Sequence, residues 1–176
     1  TTEIAKNLNL NKELNLIGSS RYAKALIIDS IASSLKKDVL ILSPNIEVAY
    51  KWYGYFKSIN NNDILYYPPN EYLPYDIRNK SSEVEYSQLN IITNLLSINN
   101  NNRVIITTER ALQPHIFNKN YFIDNILNLR KGLRIEIETL AENLIKLGYT
   151  KESITIKEGD WSRRGDIVDI YPVNNE

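Results

Sequence analysis

The sequence predicts an α/β fold, a doubly wound and mainly parallel sheet, followed by the start of a small α+β domain. Three observations carry this. Short apolar runs alternate with stretches of helical periodicity as far as Thr108. The runs are continuous rather than alternating, as in strands of a parallel sheet buried on both faces. After about Leu129 the texture changes to one helix and two alternating runs. With 176 residues there is room for one sizeable core and part of another.

The first run, Asn15-Leu16-Ile17, ends at Gly18-Ser19-Ser20 and reads as a strand–loop–helix. Ala23, Leu26, Ile27, Ile31 and Leu35 recur at spacings of three and four, marking the helix that follows. Asp38–Pro44 reads as a buried parallel strand. Ile46–Ile59 reads as a second helix, with Val48, Ala49, Trp52, Tyr53 and Phe56 on its apolar face. Ile64–Tyr67 is a short strand stopped by Pro68-Pro69. Ser82–Ile98 is a third helix with Val84, Leu89, Ile92, Leu95 and Leu96, and Arg103–Thr108 is the next strand. The Asn runs at 60–62 and 99–102 fall between these segments and read as loops, since Asn tolerates turn conformations.

Beyond the boundary near Leu129–Lys131, Arg134–Ile137 alternates and Leu140–Leu147 is helical, with Gly148-Tyr149 as its cap. Ser153–Lys157 and Asp166–Tyr171 alternate as strands of a hairpin, leaving Glu158–Gly165 between them. The expected domains are therefore 1–130 and 131–176. The second, with one helix and two strands, is too small to bury a core alone.

Lys plus Arg equals Asp plus Glu at 21 each, which argues against a simple polybasic nucleic-acid binder. The absence of Cys excludes disulfide scaffolds, thiol nucleophiles and thiolate metal sites. One His, His115, leaves no basis for a His-rich metal centre, and no metal is expected. The chain also lacks Met, even at position 1, and reads as a segment of a longer protein. No stretch approaches the roughly 18 apolar residues of a membrane span, so a soluble, cytoplasmic setting is expected without a membrane partner.

Three places are candidates for chemistry. A phosphate-binding loop belongs after the first strand of such a sheet, but it needs Gly-Lys-Ser/Thr. Here Gly18-Ser19-Ser20-Arg21-Tyr22 lacks the Lys, and Lys24 comes too late. Arg21 could reach a phosphate, yet Tyr22 cannot supply the magnesium-binding hydroxyl, so the loop reads as a degenerate P-loop that binds no cofactor. The second candidate is Trp161-Ser162-Arg163-Arg164-Gly165-Asp166, where Trp161, Arg163 and Arg164 suit a recognition tip. The alternative is a charged turn shaped by Gly165. The third is the aromatic, Pro-rich stretch Tyr66–Asp76, read as packing in preference to base stacking. His115 has no Ser, Asp or second His at a recognisable spacing, and Glu83 and Glu85 are too close to share a helix face. No catalytic constellation emerges.

In order along the chain come Gly18-Ser19-Ser20-Arg21, Leu73-Pro74-Tyr75-Asp76, and Glu158-Gly159-Asp160-Trp161-Ser162-Arg163-Arg164-Gly165-Asp166-Ile167-Val168-Asp169-Ile170-Tyr171-Pro172. This series resembles the N-terminal, UvrB-like region of bacterial transcription-repair coupling factors, from about Asn15 to Pro172. The closing stretch is its most specific part. The related excision-repair protein UvrB would carry Gly-Lys-Thr where this chain has Ser20-Arg21-Tyr22. The resemblance implies a degenerate, helicase-like α/β domain and a smaller UvrA-binding domain, here incomplete. It implies that Arg164 contributes to the UvrA surface and that this segment is not an enzyme. ATP, magnesium, DNA and RNA polymerase would belong to other parts of a DNA-translocating parent. The alternative is a UvrB-type or other P-loop nucleotide-binding domain.

Overall fold

The computed structural model describes residue 4 and residues 13–59, 63–70, 82–96 and 102–173. The run Asn60-Asn61-Asn62, the motif Leu73-Pro74-Tyr75-Asp76 and most of the second Asn run lie outside them. Two compact units emerge: Thr1–Ile91 with Ser97–His115, and Ile92–Leu96 with Ile116–Glu176.

In the first unit, helix α1 is Arg21–Leu35, strand β1 Val39–Ser43, helix α2 Ile46–Ile59 and strand β2 Ile64–Tyr66. Helix α3, Ser82–Leu96, which belongs to this unit as far as Ile91, strand β3, Val104–Thr108, and a 3₁₀ turn at Glu109–Leu112 follow. The strands form a parallel three-stranded sheet in the order β1-β3-β2, with Ile41 opposite Ile106 and Ile64 opposite Val104. The unit is thus α/β, as the alternating pattern predicts. Central β3 is buried along its whole length. Val104 and Ile106 join Ile41, Ala25 of α1, and Ala49 and Phe56 of α2 in one core, with Trp52 and Tyr53 packed on it. Fully burying a side chain such as Phe56 or Ile106 contributes about 2–3 kcal/mol.

Three expectations need correction here. No strand forms at Asn15-Leu16-Ile17, where Ile17 is 90% exposed and has no ladder to join. Strand β1 is buried on one face only: Ile41 and Ser43 are buried while Leu40 and Leu42, on the other face, remain exposed. Helix α1 buries Ala25, Asp29 and Ala32 rather than the stripe through Leu26. Small side chains win that face because they let the helix approach its neighbours closely.

Three ties fix the ends of this sheet. At the start of the strands, Asp38 Oδ1 accepts from the Arg103 backbone N–H at 3.0 Å, and Oδ2 from Nε and Nη2 at 3.1 and 2.7 Å. At the other end, the Tyr67 carbonyl accepts from the Thr107 hydroxyl at 3.0 Å. Gln88 of α3 donates to the Pro68 carbonyl at 2.8 Å, pinning the start of the Pro-rich stretch. Tyr67 is itself buried, which pushes its phenol pKa up. The packing reading of Tyr66–Asp76 therefore holds for its described part, while 71–76 lie outside it.

The second unit contains helix α4, Lys119–Asp124, helix α5, Ile137–Lys146, and strands β4, Thr150–Lys151, β5, Asp160–Arg164, and β6, Ile167–Ile170. Strand β5 pairs parallel with β4 and antiparallel with β6. Leu140 and Leu144, four apart on α5, meet Trp161, with Val168 and Ile170 packed around them. Gly148, at φ +87°, ends α5. The Tyr149 N–H donates to the Leu144 carbonyl at 2.9 Å and the Gly148 N–H to that of Ile145 at 3.0 Å, a Schellman cap.

The expected hairpin is displaced. Ser153–Lys157 is not a strand, and its two isoleucines, Ile154 and Ile156, are exposed. The strand opposite β6 is instead Asp160–Arg164, joined by a two-residue loop with Gly165 first at φ +65°. Glycine in that position suits a type II′ turn, whose twist matches the strands. Asp160 anchors the preceding loop, its Oδ2 accepting from the Lys157 N–H at 3.1 Å.

Candidate functional site

In the first unit, a cleft of about 710 Å³ opens at the carboxyl ends of the three strands. Open α/β sheets bind ligands at this end. Pro44, Asn45, Ile46, Glu47, Pro69, Asn70, Thr108 and Arg110 line it. Several of the polar groups already have internal work. Asn45 Oδ1 accepts from the Val48 N–H at 2.9 Å at the start of α2, and Thr108 Oγ1 from the Ala111 N–H at 3.3 Å. Glu47 pairs with Lys51, whose hydrogen bond holds the Glu47 carboxyl below its usual range.

The Gly18–Tyr22 loop is built as a helix cap. Gly18 takes φ +81°, and the Ser20 hydroxyl accepts from the Ala23 N–H at 3.2 Å. Tyr22 lies edge-to-face on Tyr55, centroids 5.9 Å apart. Ser19 is half-buried and Arg21 exposed at the first helical position. Among the described residues, no group of three or more His, Asp or Glu is arranged to hold a metal ion. None of the described helices is long and apolar enough to cross a membrane.

In the second unit, the β5–β6 hairpin sorts its side chains by pleat. Trp161, Val168 and Ile170 face α5, so Trp161 is 2% exposed and anchors the core. Among the described residues its indole N–H has no acceptor. Lys151 Nζ lies 5.4 Å from its ring centroid. Arg163, on the same pleat, reaches past the core: its Nη1 donates to Glu138 of α5 at 3.2 Å and its Nε to the Gly165 carbonyl at 2.9 Å. The Glu138 carboxyl is held below its usual range, first by its own backbone N–H and then by Arg163.

Ser162, Arg164, Ile167 and Asp169 occupy the opposite pleat. Arg164 is 73% exposed in its side chain, and its Nη2 lies 3.0 Å from Asp169 Oδ2. Ile167 sits directly across from Arg164 and is 60% exposed. The outer face thus offers a guanidinium beside an uncovered aliphatic side chain, a pairing suited to a protein partner. Residues 127–176, which include this hairpin and α5, match the family model of the UvrB interaction domain. This stretch is similar to UvrB-type repair proteins.

Comparison along the whole chain agrees. It is 26% identical to UvrABC system protein B of Lacticaseibacillus casei and 26% identical to the transcription-repair-coupling factor of Bacillus subtilis, each over 94% of this chain. UvrABC system protein B of Pseudomonas syringae pv. tomato is 23% identical over 92% of it. The chain spans 26% of the first and third of these relatives and 14% of the coupling factor. The resemblance drawn from the closing stretch therefore stands, to the UvrB-like region common to these repair proteins.

The candidate residues are now separated by place. Within the matched segment, Arg163 and Arg164 are exposed and Trp161 is core; Gly18 to Tyr22 belong to the other unit. Sequence reasoning missed Glu138 and Asp169, the carboxylates that hold the two arginines. The Gly165-Asp166 loop was the available signal: counting back from it sets Arg164 against Ile167 and brings Asp169 to the same face.

Proposed function

We propose that the chain is a non-catalytic scaffold of a transcription-repair coupling factor whose second unit docks the excision-repair protein UvrA through Arg164. The observation that carries this is the exposed Arg164 guanidinium beside Ile167, inside the segment that matches the UvrB interaction domain. Arg163, with its Nε and Nη1 donating to Gly165 and Glu138, supports the hairpin. On this reading the first unit is a UvrB-like domain with a degenerate P-loop at Gly18–Tyr22, which favours a coupling factor over UvrB itself. ATP, magnesium, DNA and RNA polymerase belong to other regions of a cytoplasmic, DNA-translocating parent. Purified UvrA should be retained by the immobilised chain and much less by its Arg164→Ala form. Equal retention would sink the assignment.

A second reading, a nucleotide-binding domain, is favoured by the cleft at the strand ends. The Ser20 hydroxyl already committed to a backbone N–H, and the Glu47 carboxylate on the cleft wall, weigh against it. Calorimetric titration with ATP and magnesium separates the two readings: the scaffold predicts no heat at millimolar nucleotide, and saturable binding would revive the alternative.

A further inference from the structure

We propose that Asp169 is an internal competitor for the Arg164 guanidinium, so that a partner docks by exchanging its own carboxylate for that of Asp169. The inference rests on the docking role of Arg164 and adds to it a specificity-determining residue.

The strand register creates the competition. Arg164 pairs across the hairpin with Ile167, so Asp169, two residues further along β6, is its diagonal neighbour on the same pleat. Such neighbours lie within reach of long side chains. The contact is a single one, Nη2 to Oδ2 at 3.0 Å, and both groups are open to solvent, at 73% and 39% exposure. An exposed, singly bonded ion pair contributes little, about 0–1 kcal/mol, and is therefore readily exchanged. A guanidinium has five N–H donors, so an incoming carboxylate can bind it bidentately. Asp169 opposes that approach in two ways: it holds one donor and it repels a second carboxylate.

The arrangement selects among anions. With Glu138 beside Arg163 and Asp169 beside Arg164, each hairpin cation has its own carboxylate. The tip therefore presents no net positive field to a polyanion. A partner able to offer a well-aimed carboxylate together with apolar surface for Ile167 still gains from displacing Asp169. Discrimination by a built-in repulsive group is a common route to specificity.

The test is a double-mutant cycle on the 176-residue chain, with UvrA affinity measured for wild type, Asp169→Asn, Arg164→Ala and the double variant. Asn keeps the shape and removes the charge, and melting curves check that all four forms fold. Competition predicts about two- to fivefold tighter binding for Asp169→Asn, the fold-change of an exposed pair. In the Arg164→Ala background the same substitution should tighten binding much less, since only the repulsion remains to be relieved. Unchanged or weaker binding of Asp169→Asn would overturn the proposal, as would equal tightening in both backgrounds. Arg164→Ala binding as tightly as wild type would instead remove the docking role on which the proposal stands. The two failures are therefore distinguishable.

Discussion

Asp38 shows how one carboxylate ties two strands of a parallel sheet at their amino ends. Arg103, whose side chain is 8% exposed, supplies three hydrogen bonds to it, and the side-chain bonds are the main reason its pKa is lowered, with the Asn102 backbone adding to the effect. A depressed carboxyl pKa stabilises the fold above the unfolded value, about 3.9, and that contribution is lost as pH falls through the lower folded value. Asp38→Asn, which removes the negative charge facing the Arg103 guanidinium in this part-buried pair, should cost about 1–3 kcal/mol near neutral pH. Melting curves of the two forms should run apart at neutral pH and converge in acid below the ordinary carboxylate range. A gap that persisted there would deny the ionic origin of the effect. Trp161 makes a second residue-scale test. Filling the space between α5 and the hairpin, it should cost about 3–5 kcal/mol as Trp161→Ala. Trp161→Phe should cost far less, since the indole N–H has no acceptor to lose among the described residues. Thermal denaturation orders the three forms.

At the scale of elements, the cap of α5 and the hairpin turn both depend on glycines at positive φ. No heavy atom lies within 4 Å of a Cβ built on Gly148 or Gly165, so only the backbone conformation opposes a side chain there. Gly148→Ala should therefore cost about 1–2 kcal/mol, read as an earlier thermal transition. A loss well beyond that would mean the cap does more than end a helix. The Gly148 cap was legible because glycine after an apolar helical stripe has one common use. Helix α2 was legible from end to end, since its 3.6-residue pattern through Ala49, Trp52 and Phe56 coincides with the face that packs on the sheet. Strand β5 was not: Asp160-Trp161-Ser162-Arg163-Arg164 has neither apolar alternation nor strand-rich composition. It is a strand because Trp161 fills a core and its neighbours supply the ladder, a tertiary demand that overrides propensity. The Ile154–Ile156 alternation misled for the converse reason, having no partner strand to meet.

Taken as a whole, the chain divides its work between two units. The α/β unit keeps a cleft at its strand ends while its Gly18–Tyr22 loop serves as a helix cap. The second unit carries the match to the UvrB interaction domain and sets its arginines on opposite pleats. The equal totals of acid and base fit a region whose charges pair locally and whose proposed partner is a protein. The division of labour between the two arginines is the centre of the account. It is tested most directly by calorimetric titration of UvrA into the chain and its Arg164→Ala and Arg163→Ala forms, beside their melting curves. Arg164→Ala should bind at least tenfold more weakly with an unchanged melting temperature, as befits an exposed hot spot. Arg163→Ala should melt earlier and lose much less affinity. Full-strength binding by Arg164→Ala, with loss confined to Arg163→Ala, would contradict it.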